Sequence, residues 1–279
     1  MRISEEKIRK IVRKSIIKNI KEGDLLKLNQ KSDNFSQQKG GQDVGKSLTP
    51  DTSASIKGSE FVVHGEKFQS EPAEGAGNMA AELYKSAEQA GQSSSGKKWE
   101  TTPTGRQWIS KHIYDAAKPG SGAQWSSKLG TKEESHWSSW FFSVCYMGFK
   151  GEGGHGSYAY DYAADEGIKR RKDILENPDK YKGKIAFVTF APNEAPVYKG
   201  DAVFNFRSGS GSKFSDIANG VKSHMRIFAD DNGTVHGGNE SNKIGKGKVS
   251  LSTKRTVSGK YGREPYAAVY KRVRVIGKV

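Results

Sequence analysis

The chain has 279 residues, a formal net charge of +15 and a hydrophobic share of 34%, low for a globular chain of this length. A single cysteine, Cys145, excludes an internal disulfide and any Cys-rich zinc site. The longest apolar run is shorter than the roughly 20 residues that a helical membrane span needs, and the charge calls for an acidic partner such as nucleic acid, anionic cell wall or anionic lipid.

Residues 4–22 are predicted as an amphipathic helix, with Ile8, Val12, Ile16 and Ile20 repeating every four residues. Ser4 starts it and Gly23 stops it. Its lysines and arginines suit a docking helix, a membrane-surface helix or a nucleic-acid contact. Docking is favoured, because the stripe is narrow and lacks Trp or Phe. Residues 1–24 are therefore assigned as a docking helix. Residues 25–105 are rich in Gln, Ser, Gly and Lys, and read as a low-complexity linker or arm. Apolar residues are sparse within it apart from Phe61-Val62-Val63 and a short helical piece around Met79–Ala90. A folded domain is expected over 106–279, opening with a helix over Gln107–Ala117 that Pro119 and Gly120 end.

The stretch Ser135–Lys150, SHWSSWFFSVCYMGFK, is apolar on nearly every side and is predicted to be a buried helix. Ser135 is a fair N-cap and Ser138 falls in the first turn, near unpaired backbone N–H groups. A hydroxyl there is placed as a nucleophile of acyl-transfer chemistry would be. Cys145 reads as a small buried hydrophobe. A glycine-rich loop carrying His155 follows, then a helix over Tyr158–Asn177. The remainder reads as β structure: Ile185–Phe190, Asp201–Phe206, His224–Ala229, Thr234–His236, Lys248–Ser252 and Ala267–Val275. A hairpin turn at Asp230-Asp231-Asn232-Gly233 joins two of them. One buried helix followed by an antiparallel sheet gives an α+β fold.

Ser138 as nucleophile needs a base and a group that orients the base. His224 starts a strand and is the best base. Either His236 or Asn239, on the returning strand and after it, is positioned to accept from the second ring nitrogen.

Trp137-Ser138-Ser139-Trp140-Phe141 resembles the Trp-Cys-Ala-Ala-Phe pattern that opens the central helix of papain-like cell-wall amidases of the CHAP and NlpC type. Gly200-Asp201-Ala202-Val203, Ser223-His224-Met225-Arg226-Ile227-Phe228 and Gly237-Gly238-Asn239 resemble three further pieces of that pattern, in the same order, across about 107–275. The likeness is closer to an uncharacterised bacterial and phage branch with Ser at the nucleophile position and a following histidine, which His155 matches. The resemblance implies a papain-like fold, peptidoglycan as substrate and hydrolysis of its amide or peptide bonds. Catalysis falls to Ser138, His224 and Asn239 or His236, with Trp137 and His155 beside the substrate. It implies no cofactor and no metal.

Serine in place of cysteine changes the chemistry. A thiol with a pKa of about 8.5 can be ionised in advance by His and a helix end, whereas an alcohol must lose its proton during attack. The domain is thus either a serine hydrolase on this frame or a degenerate one that keeps binding alone, carried as a structural or docking component of a phage particle. Particle proteins would be met through residues 1–105. Nucleic acid is the weaker partner, since basic and aromatic residues interleave only around Tyr261–Arg274. No signal-peptide pattern is expected, so the chain would be made in the cytoplasm and leave by lysis or in a virion.

Overall fold

Hairpin and helix signals in the chain meet their physical reasons in the computed structural model. It describes residues 59–279 except 72, 132–136, 150–164, 193, 207–213, 215, 216, 218–222, 231, 250–255, 260, 261, 266 and 267. All of these lie in the unit Asp51–Val279. The helix expected over 4–22, the N-cap Ser135 and His155 lie outside the described residues.

Strands β1 (Glu60–Val63) and β2 (Glu66–Ser70) form a tight hairpin. Its two turn residues, His64 and Gly65, both have positive φ, the twist that suits a two-residue connection. Helix α1 (Glu74–Gln89) buries Ala76, Ala80, Leu83 and Ala87, one face of a 3.6-residue period. Helix α2 (Pro103–Ile109) is capped by Thr102, whose hydroxyl accepts from the Gly105 N–H at 3.0 Å, and carries Pro in its first turn. The chain continues helically through Ser110–Tyr114 and Asp115–Ala117. Then come α3 (Gly122–Ser126), α4 (Trp137–Cys145), α5 (Gly167–Glu176) and α6 (Pro178–Tyr181).

The remaining strands are β3 (Ile185–Phe190), β4 (Ala202–Phe206), β5 (Ser223–Phe228), β6 (Thr234–Gly237), β7 (Gly245–Val249), β8 (Thr256–Gly259), β9 (Gly262–Pro265) and β10 (Ala268–Lys278). Among the described residues all ten strands join one antiparallel sheet, in the order β1-β2-β10-β4-β5-β6-β7-β8-β9 with β3 beside β10. One edge of β10 carries β3. The other is shared, β4 along its first residues and β2 along its last. The expected α+β class is what the structure has. The strand expected at Lys248–Ser252 begins earlier, at Gly245, because its partner Thr234–Gly237 fixes that register.

The sheet is apolar on both faces, and strand alternation sorts them. Ala202, Phe204, Met225, Ile227, Ala268 and Tyr270 join the core that holds α1, α2 and α4. Their neighbours Val203, Phe228 and Val269 join Val235 and Val249 in a separate cluster on the opposite face. A third cluster gathers Phe68, Val188, Phe190, Val273 and Val275.

The linker expected over 25–105 is corrected for its second half. Residues 59–105 supply β1 and β2 to the same sheet, α1, Trp99 and Ala80 to the core that holds α4, and the buried Phe68 to the third cluster. The polar composition misled because α1 packs through alanine and glycine, whose buried surface registers weakly as hydrophobicity. Gly77 shows why small residues are needed: a Cβ there would approach the Phe228 carbonyl oxygen to 2.5 Å.

Candidate functional site

Helix α4 buries every residue except Ser138 and Ser139, which are half-buried. It lies on the sheet face of Met225 and Ile227. A Cβ on Gly238, just past β6, would come within 2.5 Å of Phe141 Cβ and 3.1 Å of the Trp137 ring. Among the described residues Ser138 Oγ has no hydrogen-bond partner, and none joins it to His224.

His224 and Arg226 alternate with Met225 and Ile227 along β5, so they project from the face opposite α4. The His224 ring donates from Nε2 to Glu240 Oε1 at 3.0 Å. Arg226 grips the same carboxylate with a fork, Nε to Oε1 at 2.6 Å and Nη2 to Oε2 at 3.2 Å. Two glycines make room for it. Gly237 and Gly245 are cross-strand partners, and a Cβ on either would collide with the Glu240 carboxylate. Neither has positive φ, so the need is for space. Burial alone would raise the Glu240 carboxyl, but the His224 and Arg226 hydrogen bonds and charges outweigh it and hold it at about 2.

The expected constellation is therefore not assembled as proposed. Ser138 and His224 sit on opposite sides of the sheet, because β5 presents its apolar pair, not its polar one, to the helix. His236 does not orient His224. It faces the helical side, donates from Nδ1 to the Gly245 carbonyl at 3.2 Å and stacks on Tyr84 with ring centres 4.5 Å apart. Burial lowers its pKa, favouring the neutral ring. Asn239 has φ of 59° and turns the chain out of the ladder, and the partner of His224 is its neighbour Glu240. Trp137 is corrected from substrate platform to core. It has no exposed surface, and its indole N–H donates to Glu100 at 3.0 Å.

Beyond Asn239 the turn is held from both sides. Ser241 and Asn242 also have positive φ. Gln92, after α1, accepts from the Ile244 N–H at 3.0 Å and donates to its carbonyl at 3.3 Å. Glu240 was not anticipated, since the piece Gly237-Gly238-Asn239 directs attention to its neighbour Asn239. The two glycines on paired strands were the available signal.

Among the described residues no group of three or more His, Cys, Asp or Glu side chains is arranged to hold a metal ion, and no helix is long and apolar enough to cross a membrane. Comparison with protein-family models, with curated proteins and with solved structures finds no match to this chain.

Proposed function

We propose that this chain is a catalytically degenerate papain-like module, a binding or docking component of a phage particle directed at the anionic polymers of a bacterial cell wall. One observation carries the loss of catalysis: His224 is hydrogen-bonded to Glu240, which Arg226 also grips, on the sheet face opposite that of Met225 and Ile227, against which α4 packs. An alcohol nucleophile needs an aligned base during attack, and β5 withholds it. The ordered likeness to cell-wall amidases supports the frame, and the charge of +15 supports an anionic target. In this reading the docking role toward particle proteins falls to residues 1–24.

The test uses the full chain on purified peptidoglycan sacculi. It is expected to sediment with them in a salt-sensitive way and to release no new amines or peptides, with Ser138→Ala and His224→Ala sedimenting like the unmodified protein. Release that disappears in Ser138→Ala would instead establish the hydrolase. Deleting 1–24 is expected to abolish incorporation into particles. Unchanged incorporation counts against the docking role.

A further inference from the structure

Among the described residues, Lys271 of β10 and Asp201, just before β4, form an ion pair in which neither side chain has any exposed surface. Nζ lies 2.7 Å from Asp201 Oδ2. The Tyr198 backbone N–H donates to the same oxygen at 2.8 Å. The Tyr198 ring centre is 4.5 Å from Nζ, and the Tyr146 hydroxyl donates to the carbonyl of Gly200, the residue before Asp201. The other carboxyl oxygen, Oδ1, is buried with no partner.

A buried ion pair is repaid only when its remaining protons and lone pairs are also satisfied. Here the ammonium meets one carboxylate oxygen and the face of the Tyr198 ring, and Oδ1 meets no hydrogen-bond donor. Burial pushes the Asp201 carboxyl up and the Lys271 amine down, each toward its neutral form. Those shifts lower the cost of moving the shared proton from the amine to the carboxyl, and the two groups, held in contact and shielded from water, have the components of an amide.

We propose that Lys271 and Asp201 are a self-modification site that condenses into an isopeptide cross-link between β10 and the start of β4. Nζ attacks Asp201 Cγ and a C–N bond forms. With the carboxyl proton on Oδ1, one amine proton also passes to Oδ1, the Cγ–Oδ1 bond breaks, and Oδ1 leaves with both protons as water. Oδ2 remains as the amide carbonyl, still accepting from Tyr198. The product discards the oxygen that has no partner and the surplus amine protons, and it carries no charge. No oxidant or co-reactant is required.

The experiment is the intact mass of the full-length protein, measured denatured, followed by proteolysis and peptide sequencing by mass spectrometry. The expected mass is one water below that of the sequence, with a branched peptide joining the segments around 201 and 271. Lys271→Arg is expected to restore the full mass. Full sequence mass in the unmodified protein overturns the proposal without any variant. So does the same deficit in Lys271→Arg, which would assign the lost water to imide formation at Asp201-Ala202. Neither outcome depends on whether the module cuts or binds cell wall.

Discussion

Glu240 is a charge that four other residues make room for or answer, and its removal is expected to be costly. Glu240→Ala leaves Arg226 buried without its carboxylate and should destabilise the fold by about 3–5 kcal/mol, read by urea unfolding near neutral pH. Acid gives the same loss by titration. The folded carboxyl titrates at about 2 against an ordinary 4.5, so on acidification the unfolded chain takes up its proton first. The stabilisation is full above about 4.5 and is lost as pH falls through about 2. Unfolding series of unmodified protein and Glu240→Gln should converge toward the acid end; a constant gap would show that the charge is not responsible. Gly245→Ala should cost about 1–3 kcal/mol through overpacking against that carboxylate. The cost should shrink in a Glu240→Ala background, the non-additivity of groups in contact.

For α1, two local rules give opposite signs. Helix propensity says that Gly77→Ala should stabilise by about 0.5–1 kcal/mol. Packing says the reverse, since the new Cβ meets backbone at Phe228 and, at 3.0 Å, the Gly200 nitrogen. Net destabilisation is expected in thermal unfolding, because backbone atoms cannot step aside as a flexible side chain can. The same element marks where the sequence was hard to read. The strands Ile185–Phe190, Ala202–Phe206 and Ser223–Phe228 were legible because large apolar residues alternate or run together there. Much of helix α1 was legible as a helical piece around Met79–Ala90, but its place in the core and the hairpin before it were not, because alanine, glycine and buried polar residues such as Glu66 make many of their contacts. The side of the sheet taken by His224 was legible in principle: Met225 and Ile227 are the pair a helix would choose, leaving His224 and Arg226 for the other face.

At the scale of the molecule, the unit that folds is larger than the one the composition suggests. A fragment of 59–279 is expected to unfold cooperatively. A fragment of 106–279 lacks two strands and α1 and is expected to show little protection in hydrogen exchange. Equal protection in both would return 59–105 to the role of an arm. The α+β frame could be anticipated because one long apolar helix precedes a run of alternating strands.

The shared edge of β10 has a bearing on how the protein is made. Strand β2 is among the first to emerge from the ribosome and pairs with residues 273–278, some two hundred positions later. Until those residues emerge, β2, β3 and β4 all lack the strand they flank, and the edges that β10 later pairs stand open on the nascent chain. Folding must then close very long loops before the central contacts form, which makes it slow and exposes it to misassociation. Production at reduced temperature or beside a holdase should therefore raise the soluble yield more than any surface substitution.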